Sequence, residues 1–141
     1  MGRMANLSEI RQKPPESEKI TINLGYVDLG QIDLLVQDGF YTNRTDLIRT
    51  AIRNQLERHA EQVKRFVDRK TLDLGLRHFS RGDLEAVRNA GETLTINVLG
   101  LASIARDVTP ELARAAIASI TVLGALHASA EVKAALSDRI R

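Results

Sequence analysis

The residues best suited to chemistry form a short polar run, Asn43-Arg44-Thr45, directly before apolar residues at helical spacing. Asn is a favoured helix N-cap, and Asp46 three residues later predicts a capping box. The free N–H groups and the dipole of a helix start favour a phosphate, and Arg44 adds a positive charge. The run therefore predicts an anion-binding helix terminus. A capping box with nothing bound explains the same residues, and the Asp46 carboxylate opposes an anion nearby.

A second polar set alternates with apolar residues in the stretch EKITINL, which runs from Glu18 to Leu24. The polar members are Lys19, Thr21 and Asn23, and the apolar members are Ile20, Ile22 and Leu24. This alternation predicts a strand with one apolar face. One short strand cannot pair its own backbone groups, and no second strand pattern follows nearby. The strand therefore needs a partner from outside its own neighbourhood.

Two helices are predicted to follow this strand. In the first, apolar residues recur at helical spacing from Leu29 to Val36, and Gly39 is the expected stop. The second starts after Asn43, and its apolar stripe continues to about Lys70, a length of roughly 40 Å. Two copies of the chain would solve the pairing problem, because each could lend one strand to an antiparallel ribbon above four helices. A ribbon of this kind fits the major groove of double-stranded DNA.

At these residues the chain resembles a known family. EKITINL followed by IDLLVQDGFYTNRTDLIRTAIRNQL is similar to the ribbon-helix-helix (CopG-type) DNA-binding domain over about Glu18 to His59. The most specific part is NRTDLIR beside the preceding DGFY. The resemblance implies an intertwined homodimer that binds double-stranded DNA as a sequence-specific transcriptional regulator, with a repressor as the expected kind.

The resemblance also implies roles for the two polar sets. Lys19, Thr21 and Asn23 would face the bases; Lys can donate to guanine, Asn can pair with adenine, and Thr can contact a thymine methyl group. A solvent-facing strand edge is the alternative reading of these three residues. Asn43, Arg44 and Thr45 would hold the DNA backbone, because the family clamps phosphates with this helix end.

Residues 71–141 contain an internal repeat. The stretches TLDLGLRHFSRGDL, TINVLGLASIARDV and SITVLGALHASAEV begin at Thr71, Thr95 and Ser119, 24 residues apart. In this alignment Leu74, Val98 and Val122 correspond. Each unit reads as a strand followed by a helix, either as a small stacked array or as a duplicated α/β domain completed by a second chain.

The helices of the repeat have recognisable starts. The predicted N-caps are Ser80, Thr109 (with Pro110 at the first helical position) and Ser129, and the middle helix begins late. The expected fold class is α+β, with three parts. These are a flexible arm (1–17), a ribbon-helix-helix domain with an extended second helix (18–70), and a C-terminal α/β domain of strand–helix repeats (71–141).

Composition limits the function classes. The chain has no cysteine, which removes disulfides and thiolate metal sites and fits a reducing cytoplasm. Aromatic residues make up 4%, too few for platforms that stack single-stranded bases. The net charge of +2 is small, so DNA binding must depend on placed residues. The apolar runs are too short for a membrane span.

Neither catalysis nor a metal or cofactor site is expected. The histidines are His59, His78 and His127, without a close pair in sequence. Ser103, His127 and Asp107 can be drawn as a triad, but their spacing and context favour no such assembly. No glycine loop for phosphates is present.

Two rival functions remain beside the regulator. An antitoxin would cover a toxin with its C-terminal segment, although TINVLG and SITVLG look prefolded. A structural protein could polymerise through its repeats. For the regulator, we expect residues 71–141 to self-associate, because three strands leave an exposed edge. This would reinforce the dimer or join dimers into a tetramer.

Overall fold

The computed structural model describes residues 17–141, which form a mixed α+β protein with two compact units, Ser17–Phe66 and Val67–Arg141. The arm predicted over residues 1–17 lies outside the described residues apart from Ser17. Within 17–141, none of the helices combines the length and the apolar character needed to cross a membrane.

The first unit consists of helices and of a segment without regular structure. Helix α1 spans Tyr26–Gln37, α2 spans Arg44–Arg58, and α3 spans Ala60–Lys70 and extends into the second unit. Residues 18–25, which hold the predicted strand, carry neither helix nor strand in this single chain. A strand is defined by hydrogen bonds to a neighbouring strand, so the ribbon stays a prediction about two copies.

Helix α1 ends at the predicted glycine. Gly39 has a φ of +84°, and its N–H donates to the Val36 carbonyl oxygen at 3.1 Å. The N–H of Phe40 donates to the Leu35 carbonyl oxygen at 3.0 Å. These two bonds form a Schellman motif, whose left-handed residue is usually glycine. The motif turns the chain sharply toward α2.

The prediction of one uninterrupted helix from Asn43 to about Lys70 is wrong at His59. Helix α2 ends at Arg58, and the N–H of His59 donates to Leu56 three residues earlier, at 3.1 Å. This bond spans three residues and not the usual four, and it closes the last turn of α2. Helix α3 then begins at Ala60. The apolar stripe continues across His59, which is why the sequence pattern alone does not reveal the interruption. The extended rigid helix expected here is therefore two shorter helices.

The second unit is built from alternating strands and helices, as the repeat predicts. Strand β1 (Asp73–Phe79) precedes α4 (Arg81–Asn89), β2 (Leu94–Ile104) precedes α5 (Pro110–Ala116), and β3 (Ile117–His127) precedes α6 (Ala130–Ala135). The strands form a parallel sheet in the order β1-β2-β3. Beyond α6, Ile140 forms a parallel bridge to Ile120, so the chain end lies along β3.

All three predicted helix starts are confirmed. The side chains of Ser80, Thr109 and Ser129 each accept a hydrogen bond from the backbone N–H three residues later, at 3.1–3.2 Å. Ser80 heads a complete capping box, and Pro110 occupies the first helical position of α5. Each cap satisfies a backbone donor that the helix itself leaves unpaired.

The core of the second unit lies between the sheet and its helices. One cluster of buried side chains joins residues of the strands to residues of the helices; it includes Leu84, Ile96, Val98, Ile120, Val132 and Leu136. Neighbouring helices pack side by side over the same sheet face. The unit therefore has two layers, with its helices on one side.

The strand register agrees with the 24-residue repeat on only one side of β2. Val98 pairs with its repeat equivalent Val122, but Leu74 pairs with Leu99 and not with its predicted equivalent Val98. The predicted equivalence of Leu74 with the two valines is therefore wrong. A shift of one residue exchanges the two faces of a strand. Accordingly Leu74 is 71% exposed while Val98 is 1% exposed.

A row of glycines accompanies this register. Gly75, Gly100 and Gly124 are aligned across the three strands, with φ values of +125°, +140° and +122°. A Cβ on Gly100 would overlap the carbonyl oxygen of Gly75, and one on Gly124 would overlap that of Gly100. At Gly100 and Gly124 the neighbouring backbone is therefore too close for any side chain, whereas a Cβ added at Gly75 would meet no atom within 4 Å.

Candidate nucleic-acid interface

The segment from Glu18 to Gly25 presents both of its faces to solvent. Its polar residues Lys19, Thr21 and Asn23 are exposed. The exposed fractions of the apolar residues between them are high as well, 72% for Ile20 and 57% for Ile22. The chain places this segment directly before α1, which begins at Tyr26. Because polar and apolar residues alternate, they lie on opposite faces of the segment whenever it is extended.

Several apolar side chains of the helices that follow are exposed as well. None of the residues of α1, α2 or α3 is buried in the described chain. Leu34, Ile52 and Leu56 are 57%, 47% and 60% exposed. Helices of this length gain most of their stability by burying an apolar stripe. The exposed stripe therefore marks a surface on which another apolar surface fits.

The start of α2 is ordered by its own side chains. The Asn43 side-chain oxygen accepts a hydrogen bond from the Asp46 N–H at 2.8 Å, which makes Asn43 the N-cap. Asp46 does not return a bond to Asn43; its carboxylate accepts from the N–H of Thr42 at 2.9 Å. The first bond of the predicted capping box is therefore present. In the second, the donor is the N–H of Thr42, one residue before the expected donor Asn43. Thr45 lies in the first turn and is exposed.

Arg44 has a partner that the sequence pattern does not predict. Its Nε donates to Oδ1 of Asp33 at 2.7 Å, and its Nη2 donates to Oδ2 at 2.8 Å. This fork joins the first turn of α2 to α1. The hydrogen bond from Arg44 lowers the pKa of Asp33 below its usual value, and the same contact raises the pKa of Arg44. Both groups therefore stay charged at neutral pH.

The Asp33 contact changes what Arg44 can offer to an anion. A guanidinium carries five N–H donors, and the fork with Asp33 uses two of them. The remaining donors of Arg44 stay available beside the helix start, but the pair as a whole has no net charge. No spacing rule points to Asp33, because the two residues belong to different helices separated by a turn.

The histidines are placed as single residues in structural settings. His59 lies at the helix interruption, with its Nε2 atom 3.3 Å from Nε2 of Gln55. His78 Nδ1 is 2.7 Å from the Ser103 hydroxyl oxygen, and Ser103 is aligned with His127 on the next strand. Among residues 17–141, no group of three or more His, Asp or Glu side chains could hold a metal ion.

The Ser103–His78 contact is a strand-to-strand hydrogen bond. Ser103 is only 7% exposed. Asp83, which interacts electrostatically with His78, accepts the Ser80 N–H at 3.0 Å in the capping box of α4. Its pKa is lowered chiefly by these bonds with Ser80. The contact therefore joins β1 to β2 and offers no open nucleophile.

Comparison with known proteins gives one finding. A family model described as "Ribbon-Helix-Helix transcriptional regulator family" matches residues 15–133, which include the first compact unit and most of the second. No curated protein and no solved structure matches the chain significantly.

Proposed function

The chain belongs to the ribbon-helix-helix transcriptional regulator family, and we propose that it is a repressor that inserts a two-stranded antiparallel ribbon into the major groove of double-stranded DNA. Family membership carries this proposal. The family binds DNA, its members are typically dimers, and it is normally non-enzymatic. In the proposed arrangement an N-terminal ribbon-helix-helix domain is followed by a C-terminal α/β domain.

The exposed apolar residues of the first unit support the dimer. Ile20 and Ile22 leave an apolar side on the ribbon segment, and Leu34, Ile52 and Leu56 leave one on the helices. Two copies that pair their segments can place these residues against each other. At about 25 cal/mol per Å² of apolar surface removed from water, the burial would stabilise helices that contain no fully buried residue in the single chain. Dimer formation and folding of this unit are then coupled.

The same pairing would turn Lys19, Thr21 and Asn23 away from the dimer core. All three side chains have hydrogen-bonding groups that suit base edges in the major groove. These three residues alternate with the apolar residues of the segment. A ribbon that buries the apolar residues in the dimer core therefore directs the three polar residues outward, toward the DNA. We therefore propose these three residues as the base contacts.

Asn43, Arg44 and Thr45 are proposed to hold the DNA backbone. The Asn43 cap fixes the turn, and the first N–H groups of α2 remain directed toward the helix start. Asp33 holds the Arg44 guanidinium in one position while leaving three donors for a phosphate oxygen. This arrangement weakens the attraction for DNA, because the Asp33 carboxylate repels the phosphate that Arg44 attracts.

The antitoxin alternative has less support. Its C-terminal segment would be expected to fold on the toxin, whereas residues 73–135 of this chain carry three strands and three helices with a core of their own. We propose instead that residues 71–141 associate with a second copy, so that operator binding gains from tethering.

The ribbon assignment is tested by replacing Lys19, Thr21 and Asn23 together with Ala. DNA retained from a genomic fragment library first identifies the operator. The triple variant should remain a dimer yet lose operator preference, since each good base contact contributes roughly 1–3 kcal/mol of discrimination. Lys133→Ala, an exposed change on α6, is the control and should leave binding unchanged. A triple variant that protects the same footprint with wild-type affinity would contradict the ribbon assignment.

A further inference from the structure

The sheet of the second unit has one face that its helices do not cover. Leu74, Leu76 and Leu123 on this face are 71%, 60% and 53% exposed. The strand register aligns Leu74 with Leu99 and Leu123, and aligns Leu76 with Leu101 and Ala125. We call these six residues the outer face. Parallel sheets are almost always covered on both sides, so an uncovered parallel sheet with two leucine-rich rows needs an occupant.

The outer face carries no charge. Next to it along the strands, Asn97 and Thr121 form one polar row, and His78, Ser103 and His127 form the other. No Asp, Glu, Lys or Arg shares these sheet positions. A charged partner surface would lose its hydration here and gain no opposite charge. The occupant therefore has a neutral, apolar surface framed by polar groups.

We propose that the occupant is the outer face of a second copy of this chain, packed sheet against sheet. The rows follow the order polar, leucine, leucine, polar along the strands, so the pattern reads the same in both directions. A copy turned end for end would still place leucine rows on leucine rows and polar rows on polar rows. This sandwich has the usual form of two sheets about 10 Å apart.

The inference builds on the proposed regulator, because a family that is typically dimeric already brings two copies together. A second contact between tethered copies forms at high effective concentration. The contact can lie within one dimer or between two dimers, and the same outer face serves in both. In this proposal, residues 71–141 associate through a face of the sheet and not through the free edge of β1.

The full chain can be tested with single cysteines, because it contains none of its own. Leu99→Cys places a thiol on the central strand, which faces the central strand of the second copy in either orientation. A bismaleimide with a reach of about 10–15 Å spans two packed sheets and should join two copies covalently. Glu92→Cys, in the exposed turn after α4, is the matched control and should give at least tenfold less of the covalent pair.

The second variant removes the apolar surface. Adding Leu74→Glu and Leu123→Glu to Leu99→Cys should reduce cross-linking at least about tenfold, because each buried leucine contributes more than a tenfold factor in affinity. Both leucines are mostly exposed in the single chain, so circular dichroism should show an unchanged fold. Modification of the introduced thiol by a monofunctional maleimide should become faster in this variant.

Two results would overturn the proposal. Rapid modification of Leu99→Cys without cross-linking would show an open face, and slow modification without cross-linking would show a different occupant. Operator binding by the same variants separates this inference from the proposed function. Loss of DNA recognition with intact cross-linking counts against the regulator only, and normal recognition without cross-linking counts against the sandwich only.

Discussion

Replacing Gly100 with Ala tests whether the glycine row decides the architecture of the second unit. Gly100 has a φ of +140°, where an L-residue is strained by about 1–3 kcal/mol. The added Cβ would also overlap the carbonyl oxygen of Gly75 on the neighbouring strand. Relieving that overlap requires the strands to separate, which costs about 1–3 kcal/mol as in other overpacked sites. The expected loss is the sum, about 2–6 kcal/mol in the free energy of unfolding.

Gly75→Ala is the matched control, because it separates the two causes. Gly75 has a similar φ of +125°, but nothing lies within 4 Å of its added Cβ. It should lose only the strain of about 1–3 kcal/mol. Gly30→Ala in α1 has neither problem and should gain up to about 1 kcal/mol, because Gly is a poor helix former.

Urea unfolding followed by circular dichroism gives the required free energies, at one fixed protein concentration because the chain is expected to associate. Domains of this size have total stabilities of about 5–15 kcal/mol, so Gly100→Ala removes a large share. Equal losses for Gly75→Ala and Gly100→Ala would refute the close backbone approach. A change in the slope against urea would mean that the variant alters the compactness of the folded or unfolded state or the two-state character of unfolding, and its free energy could not then be compared directly.

The remaining predictions concern ionic contacts. Arg44→Ala should weaken operator and non-operator DNA alike and reduce the slope of log K against log salt by about 0.9 for each phosphate that is no longer neutralised; an effect confined to one base position would contradict the backbone role. Asp33→Asn removes the carboxylate that opposes the phosphate, so it should strengthen both kinds of binding, and unchanged affinity would show that Asp33 does not compete. The hydrogen bond from Arg114 lowers the pKa of Asp138 below its usual 3.8. Its stabilising effect is therefore present above pH 3.8 and lost as pH falls through the lower folded-state pKa. The unfolding free energies of wild type and Asp138→Asn should converge in that acid range, and a constant difference would count against the ion pair.

Local features were predictable because their causes lie within a few residues. The N-caps at Ser80, Thr109 and Ser129 and the stop at Gly39 depend on short side chains and on backbone freedom at single positions. The structure confirms all four. The order of strands and helices after Thr71 follows from the repeat in the same way, since each unit carries its own strand and its own helix start.

The family could be predicted from the first half of the chain. The alternation in EKITINL and the polar run at Asn43 gave the resemblance, and the family match over residues 15–133 confirms it. The residues that would contact DNA stay predictions, since a ribbon exists only when two chains share it. Sequence reasoning specified which side of the strand is polar, but the partner that makes it a strand is a second molecule.

Contacts between residues that are far apart in the chain could not be predicted from the sequence. The fork between Arg44 and Asp33 depends on how two helices meet, and the interruption at His59 leaves the apolar stripe unbroken. The repeat of 24 residues makes Leu74 equivalent to Val98, whereas the sheet places these two residues on opposite faces. The sequence by itself determined the order of strands and helices in the second unit, their N-caps and the family, because these depend on neighbouring residues. The tertiary structure decided the register of β1, and with it which residues of β1 lie on the outer face. The physical reason is the close approach of the Gly75 and Gly100 backbones, which occurs only when the strands align these two glycines.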